Sequence, residues 1–296
     1  MTPTPDAPSP SGVFSPTLPH FVGVLGGGRM GAGIAHAFLM AGCEVLVVER
    51  DGDAAAGART RVEASVAKSV ERGLVGSAEA FLDRLSVSTD YADFAACALV
   101  VEAVPEIWEL KVASLQNVEK HLAPTAFLAS NTSSLSMSGL GAELERPGNF
   151  IGLHFFNPVP ASTLIEVVIA KQTSPALVTT AKGWVEALGK TAVVVNDAPG
   201  FASSRLGVML ALEAIRMVEE GVASAEDIDN AMVLGYKHAT GPLRTTDVVG
   251  LDVRLEIAEY LAETLGERFA PPQLLRDKVA RGELGRKTGK GFFNWA

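Results

Sequence analysis

Two residues in neighbouring apolar segments have the chemistry for proton transfer. His154 ends the apolar run 150–154, and Glu166 lies in the middle of the run 164–169. A carboxylate within an apolar strand is costly unless it has a partner, and an imidazole is a natural one. Such a pair fixes the histidine tautomer and stabilises the imidazolium that forms on protonation. From the residues alone, a satisfied core histidine and a glutamate on the solvent side of a strand explain the pattern equally well.

A polar cluster directly follows another apolar run. Residues 126–129 are apolar, and Ser130, Asn131, Thr132, Ser133 and Ser134 come next. Such a cluster at a strand end can hydrogen-bond a substrate oxygen. It can equally cap a helix, which is the commoner use of serine and threonine. The cluster is therefore a candidate substrate contact whose role the residues alone leave open.

A glycine-rich segment predicts a dinucleotide site. Gly26, Gly28 and Gly31 have the Gly-x-Gly-x-x-Gly spacing between a predicted strand and a predicted helix. The first glycine permits a tight turn, the second lets a pyrophosphate approach the backbone, and the third lets helix and strand pack closely. The helix N-terminus then presents N–H groups to the phosphates. We expect the whole loop, including Arg29 and Met30, to contact the cofactor; the alternative is a glycine-rich turn without a ligand.

Glu49 predicts which nicotinamide cofactor binds. It closes the next predicted strand, 44–48, where an acidic residue would bind both hydroxyls of the adenosine ribose. A carboxylate there repels the 2′-phosphate of NADP, so NAD is the expected cofactor. The neighbouring Arg50 has the charge that would attract that phosphate and could override Glu49.

Apolar runs alternate with helical stretches through the first two thirds of the chain. A long polar helix is predicted at 54–72. Strands are predicted at 21–25, 44–48, 99–103, 126–129, 150–154, 164–169 and 191–195. This alternation is typical of the α/β class and predicts a Rossmann-type, doubly wound, mainly parallel sheet.

The pattern becomes helical after Pro199. Helices are predicted at 201–220, 251–265 and 271–281. We therefore expect three regions: a disordered tail over 1–19, an NAD-binding Rossmann domain over 20–198, and an all-α C-terminal domain for substrate binding and dimerisation over 199–296. The helix at 201–220 is apolar around most of its circumference, which predicts burial on several sides and a homodimer through the C-terminal helices.

The composition excludes some broad classes. The 296 residues have a formal charge of −9, which disfavours nucleic-acid binding because that requires clustered lysine and arginine. No apolar run approaches the roughly 20 residues of a membrane span. Cys43 and Cys97 lie in apolar segments and are interpreted as buried thiols, not as a disulfide or a metal site, which predicts a cytoplasmic protein. Residues 1–19 contain no lysine or arginine, so no signal peptide or mitochondrial presequence is expected.

Several motifs together resemble one enzyme family. The most specific is His-Phe-Phe-Asn-Pro at 154–158, with Glu166 twelve residues after His154. The others are Gly-Gly-Gly-Arg-Met-Gly at 26–31, Val-Glu-Ala at 101–103, Ser-Asn-Thr-Ser-Ser at 130–134, Pro-Gly-Phe at 199–201, Gly-Pro-Leu at 241–243 and Gly-Arg-Lys-Thr-Gly-Lys-Gly-Phe at 285–292. With these motifs the chain resembles, over residues 21–295, the L-3-hydroxyacyl-CoA dehydrogenases, including their bacterial 3-hydroxybutyryl-CoA members.

The resemblance implies roles for individual residues. His154 corresponds to the family's base, Glu166 to its carboxylate partner, and Ser133 to the serine bonded to the substrate 3-oxygen near the nicotinamide. Beyond the glycine loop and Glu49, the positions implied to contact NAD are Glu106, Lys111, Asn157 and Lys287. The positions implied to contact CoA are Ser65, Arg72, Lys111 and Ser133.

One position departs from the family pattern. The family commonly has asparagine in the run Pro-Gly-Phe-x-x-Asn-Arg, and this chain has Ser204 there. Asparagine offers a donor and an acceptor on a longer stem, whereas serine offers one hydroxyl. We expect Ser204 to retain a polar role in the site; the alternative is that it caps the helix or fills space.

The expected reaction is the reversible, NAD-dependent oxidation of an L-3-hydroxyacyl-CoA to the 3-ketoacyl-CoA, with a short acyl chain. Two alternatives stay open. The first is a dehydrogenase for a hydroxyacyl group on a carrier protein, of the hydroxymalonyl type, which would need no site for the CoA nucleotide. The second is a non-catalytic NAD-binding protein, against which the retention of Ser133, His154 and Glu166 argues. No metal, nucleic acid or membrane is expected to take part.

Overall fold

Short, mostly apolar segments form one eight-stranded sheet in the computed structural model, which describes residues 18–295. The strands are β1 (Phe21–Leu25), β2 (Glu44–Val48), β3 (Leu85–Ser88), β4 (Leu99–Glu102), β5 (Phe127–Ser130), β6 (Phe150–Phe155), β7 (Leu164–Ile169) and β8 (Thr191–Asn196). Their order is β3-β2-β1-β4-β5-β6-β7-β8. The pairs from β3 to β6 are parallel, and β7 is antiparallel to β6. The predicted Rossmann-type, mainly parallel sheet is confirmed.

Two compact units divide the chain. The first contains the residues up to Thr132 and Met137–Val194, and the second contains Ser133–Ser136 and the residues from Val195 onward. The helices of the first unit are α1 (Arg29–Met40), α2 (Gly52–Glu71), α3 (Glu79–Leu82), α4 (Trp108–His121), α5 (Met137–Ala142) and α6 (Pro175–Ala187). The sequence did not predict that the short segment 133–136 would cluster with the second unit.

Apolar side chains of the inner strands hold α1 against the sheet. Val22 of β1 and Val45 of β2 have no solvent exposure (0%), and neither have Ile34 and Phe38 of α1. All four belong to one buried cluster. Full burial of such a side chain contributes about 1.5–3 kcal/mol. This packing places the start of α1 at the carboxyl edge of the sheet, where doubly wound proteins bind ligands.

The second unit is helical, as predicted. Its helices are α7 (Ser203–Glu219), α8 (Ala225–Asn230), α9 (Pro242–Val249), α10 (Leu251–Leu265) and α11 (Gln273–Ala280). Its own apolar core includes Leu212 and Ile215 of α7, Leu243 of α9, and Leu251 and Leu261 of α10. The sequence predicted α7, α10 and α11 but did not predict α9.

Two further sequence expectations concern the ends of the chain and the membrane. Apart from Leu18 and Pro19, the tail predicted over residues 1–19 lies outside the described residues. Within residues 18–295, no helix is both long enough and apolar enough to span a lipid bilayer.

Candidate active site

The glycine loop has the space for a pyrophosphate. Gly26 has a φ of +89°, in the region that favours glycine, and Gly28 is the N-cap residue of α1. A Cβ built at Gly28 would meet no atom within 4 Å, whereas one at Gly31 would lie 1.7 Å from the carbonyl oxygen of Gly26. The open position faces the N-terminus of α1, whose N–H groups bind anions. The loop therefore fits a dinucleotide, and it tolerates only glycine at Gly31.

Glu49 directly follows β2 and contacts the same loop. Its Oε1 accepts a hydrogen bond from the N–H of Gly27 at 2.7 Å. The neighbouring Arg50 is exposed, and its Nε donates to Asp51 Oδ2 at 3.0 Å. Because Arg50 is paired with Asp51 and Glu49 faces the loop, the arrangement fits the ribose of NAD better than the 2′-phosphate of NADP.

His154 and Glu166 form a buried hydrogen-bonded pair. The antiparallel register of β6 and β7 sets the two residues opposite each other. The distance from His154 Nδ1 to Glu166 Oε2 is 2.8 Å, and the side chains are 8% and 0% exposed. A carboxylate at Nδ1 holds the proton on that nitrogen, so the other ring nitrogen, Nε2, is the one that can take up a proton. This is the geometry of a positioned general base.

Phe156 and Asn131, which were not among the predicted catalytic residues, hold His154 in place. The ring of Phe156 lies 4.4 Å from the imidazole, centroid to centroid. The side-chain oxygen of Asn131, after β5, accepts the N–H of Phe155 at 2.8 Å and so ties the ends of β5 and β6 together. Asn131 was predicted only as part of a polar cluster, because the cross-strand contact depends on the sheet order.

Lys111 is buried in an ionic network. It is 1% exposed, and its Nζ lies 2.6 Å from Glu102 Oε1, 3.2 Å from the carbonyl oxygen of Val104 and 3.2 Å from Glu106 Oε2. An ammonium has three donors, and these three acceptors use all of them. A direct contact of Lys111 with NAD or CoA would have to replace one of these partners. Glu106 is the more accessible member, with its side chain 35% exposed.

A cationic cavity of about 770 Å³ lies within the first unit, between α1, α2 and the segment after β6. Five basic residues line it: Arg29, Arg61, Lys68, Arg72 and Lys190. In the described part of the chain, none of these five forms an ion pair, and none of the lining residues is acidic. Burial lowers the pKa of Lys190, whose Nζ donates to the carbonyl oxygen of Val159 at 2.8 Å. The cavity is therefore suited to a ligand with several negative charges.

Three predicted site residues also line this cavity. They are Ser65 and Arg72, predicted to contact CoA, and Asn157, predicted to contact NAD. Arg61 and Lys68 were not predicted to bind CoA, although their spacing from Ser65 and Arg72 could have indicated it. The spacing of positions 61, 65, 68 and 72 places them on one face of α2.

The other predicted contacts belong to the second unit. Ser133 is in the segment Ser133–Ser136, and Ser204 is in the first turn of α7, where Ala202 is the N-cap residue. Lys287 lies in a short 3-10 helix (Arg286–Thr288), and its Nζ is 2.7 Å from Asp252 Oδ1. The roles of these three residues stay predictions.

Comparison with known proteins identifies the family. The model for the NAD binding domain of 3-hydroxyacyl-CoA dehydrogenase matches residues 21–198, and the model for its C-terminal domain matches residues 200–295. The chain belongs to the 3-hydroxyacyl-CoA dehydrogenase family, whose members are NAD-dependent oxidoreductases.

The chain is similar to several members over nearly its whole length. It is 41% identical over 275 residues to a probable 3-hydroxybutyryl-CoA dehydrogenase of Deinococcus radiodurans, covering 92% of this chain and 99% of that one. It is 39% identical to a 3-hydroxybutyryl-CoA dehydrogenase of Mycobacterium tuberculosis, with 93% and 98% covered. The crystal structure of (S)-3-hydroxybutyryl-CoA dehydrogenase from Ralstonia eutropha has a TM-score of 0.90 at 35% identity, with 94% and 100% covered.

Alanine variants at two positions of the glycine loop should differ in NAD affinity and in melting temperature. Gly28→Ala should keep the melting temperature of the wild type, because its Cβ meets open space, but should weaken NAD binding about tenfold or more by filling the pyrophosphate position. Gly31→Ala should unfold at a lower temperature, because its Cβ would lie 1.7 Å from the Gly26 carbonyl oxygen. Thermal denaturation and NAD titration measure both effects. Normal NAD affinity in Gly28→Ala would contradict the assignment of the loop.

Proposed function

We propose that this chain catalyses the reversible NAD-dependent oxidation of a short-chain L-3-hydroxyacyl-CoA, 3-hydroxybutyryl-CoA, to the 3-ketoacyl-CoA. The buried pair of His154 and Glu166 is the observation that carries the proposal, because it is a general base with a fixed tautomer. Further support comes from the family and from relatives whose names include 3-hydroxybutyryl-CoA dehydrogenase.

His154 acts as the base in this proposal. Its Nε2 removes the proton of the 3-hydroxyl group, and Glu166, hydrogen-bonded to Nδ1, stabilises the imidazolium that forms. Bound NAD supplies the hydride acceptor. Ser133 hydrogen-bonds the 3-oxygen, and Ser204 offers a second hydroxyl directly or through a water molecule. Phe156 against the imidazole and Asn131 on Phe155 keep the base in place.

The proposed contacts with NAD follow the loops at the carboxyl edge of the sheet. Gly26, Gly28, Arg29, Met30 and Gly31 surround the pyrophosphate, and Glu49 binds the adenosine ribose. The remaining proposed contacts, towards the nicotinamide half, are Glu106, Lys111, Asn157 and Lys287.

The base can be tested with a matched pair of histidine variants. His154→Gln should lower kcat about 10²–10⁴-fold, the usual loss on removing a general base, and should leave NAD affinity nearly unchanged. His121→Gln is the control, because His121 is exposed at the end of α4. The assay is the absorbance of NADH formed from 3-hydroxybutyryl-CoA. Near-normal turnover in His154→Gln would contradict the role of His154 as the base. If the wild type forms no NADH, the result would favour a non-catalytic NAD-binding protein.

The cationic cavity favours a CoA thioester over a thioester on a carrier protein. The nucleotide end of CoA has a pyrophosphate and a 3′-phosphate, and the cavity is lined by five basic side chains that form no ion pair in the described part of the chain. A carrier protein delivers only a phosphopantetheine arm to the active site, which would leave most of these charges without a partner. We therefore propose that Ser65, Arg72 and their neighbours on α2 bind the CoA nucleotide.

Comparison of a whole and a truncated substrate tests this site. Arg72→Met should raise KM for 3-hydroxybutyryl-CoA about tenfold, the value of one charge-assisted hydrogen bond, and should not change KM for the pantetheine thioester, which lacks the nucleotide. Arg59→Met is the control on the same helix, since Arg59 pairs with Glu63 outside the cavity. Equal effects of Arg72→Met on both substrates would contradict the placement of CoA.

We also propose a homodimer through the C-terminal helices. Large apolar side chains are exposed on the second unit, among them Leu206 (70%), Leu234 (68%) and Tyr236 (76%). Exposed apolar surface of this kind is frequent at contacts between chains. Light scattering at micromolar concentration should report twice the monomer mass for the wild type. The variant Leu206→Glu should have the mass of the monomer. Leu74→Glu, at an exposed leucine (69%) of the first unit, should remain dimeric. A monomeric wild type would refute the proposal.

A cytoplasmic location agrees with the state of the cysteines. Cys43 and Cys97 are free and buried. Burial raises the pKa of Cys43 to about 11 and that of Cys97 to about 12, so neither thiol is reactive at neutral pH. We propose that the protein works in a reducing compartment.

A further inference from the structure

Glu102 is a buried carboxylate to which the proposed reaction gives no task. It is the last residue of β4 and has no solvent exposure (0%). Its Oε1 accepts hydrogen bonds from Lys111 Nζ at 2.6 Å and from the N–H of Val104 at 2.7 Å. Its Oε2 accepts one from Ser130 Oγ at 2.6 Å. Glu102 therefore joins the segment after β4, the helix α4 and the end of β5.

The contacts of Glu102 close into a ring of hydrogen bonds. Ser130 Oγ accepts the N–H of Thr132 at 3.2 Å, and Thr132 Oγ1 donates to Glu106 Oε1 at 2.5 Å. Glu106 Oε2 lies 3.2 Å from Lys111 Nζ, which returns to Glu102. All five residues of this ring, which we call the Glu102 ring, belong to the first unit. Because the hydrogen bonds form a closed ring, a displacement of one of the five side chains would distort the hydrogen bonds of its neighbours.

Stability alone is a weak reason for the Glu102 ring. Transfer of an ion from water to a protein interior costs several kcal/mol. Apolar side chains of similar volume, in place of a buried ion pair, often make the folded protein equally stable. Charge-assisted hydrogen bonds supply something that apolar packing lacks, which is a defined partner and direction for each group. The ring therefore fixes the orientation of the two loops that it joins.

Both loops contain or lead to residues that the proposed function needs. The loop after β4 contains Glu106 and lies against the glycine loop, since a Cβ built at Gly26 would be 3.0 Å from the carbonyl oxygen of Ala103. The loop after β5 contains Thr132, and the next residue in the chain is Ser133. A misplacement of about 1 Å in such groups can cost about 10²-fold in rate.

We propose that Glu102 is a positioning residue of the dehydrogenase, which rests on the proposed function. Through Lys111 it holds the loop that contacts NAD, and through Ser130 it holds the loop that leads into Ser133. It acts through these two residues and does not itself contact the reacting atoms. Loss of its charge therefore lowers NAD affinity and turnover by more than the loss of folded protein explains.

Two glutamine variants of buried glutamates test the proposal. Glu102→Gln removes the charge at nearly constant volume. The dissociation constant for NAD, measured by calorimetry, should rise about tenfold, and kcat should fall about 10- to 100-fold. KM for 3-hydroxybutyryl-CoA should change little, because the cationic cavity is not altered.

Glu119→Gln is the matched control. Glu119 lies on α4 like Lys111, is 7% exposed, and accepts the N–H groups of Glu145 at 2.8 Å and Arg146 at 2.7 Å. It is thus a buried carboxylate of the same unit, away from the Glu102 ring. Glu119→Gln should lower the melting temperature but keep the wild-type kcat and NAD affinity per folded molecule.

Ser130→Ala is the second test if the single variant does not fold. It keeps the charges of Glu102 and Lys111 and removes the hydrogen bonds of Ser130 Oγ to Glu102 and Thr132, so it should fold, yet kcat should fall about tenfold because the loop after β5 is no longer tied to Glu102. Wild-type NAD affinity and kcat in either folded variant would overturn the proposal, as would equal losses in Glu119→Gln. A wild type that shows no oxidation of 3-hydroxybutyryl-CoA would refute the proposed function, whereas the NAD titrations would still report on the loop after β4.

Discussion

The hydrogen bond between His154 and Glu166 constrains both the sheet and the chemistry around it. A carboxylate with no solvent exposure needs a partner, because an isolated buried charge is expensive. The antiparallel register of β6 and β7 supplies that partner by setting His154 opposite Glu166. A slip of one residue would turn Glu166 to the other face of the sheet and leave it unpaired. The register of β7 and the tautomer of the imidazole therefore depend on the same bond.

The main features of the fold could be predicted because its strands are apolar runs bounded by turn residues. The predicted strands 21–25, 44–48 and 164–169 have the same bounds as β1, β2 and β7. The strand β3 was not predicted, because its four residues alternate between leucine or valine and serine and form no apolar run. Its place at the edge of the sheet comes from pairing with β2, which is a tertiary contact.

Glu166 and Glu102, both without solvent exposure (0%), show how much of a site a sequence can predict. Glu166 stands inside an apolar run, so its burial, and hence its need for a partner, could be inferred from its neighbours. Glu102 ends its strand, where a carboxylate usually reaches water, and its partner Lys111 is of a residue type that is rarely buried. Their contact depends on how α4 returns against β4, and no local pattern encodes that. The pairs also differ in their partners: Glu166 holds the imidazole that is the proposed base, whereas Glu102 holds the ammonium group of Lys111.

The distribution of charge links the fold to the choice of substrate. The chain has 34 acidic and 25 basic residues, so its net charge of −9 does not favour a polyanion. Five of the basic residues line one cavity of the first unit, where no acidic residue offsets them. A basic cavity in a protein of negative net charge directs an anionic ligand to that cavity more selectively than a uniformly basic surface would. Because Arg61 also donates to the carbonyl oxygen of Gly27 at 3.2 Å, the cavity adjoins the glycine loop. The α1–α2 packing that forms the Rossmann core thus brings the proposed CoA site beside the proposed NAD site.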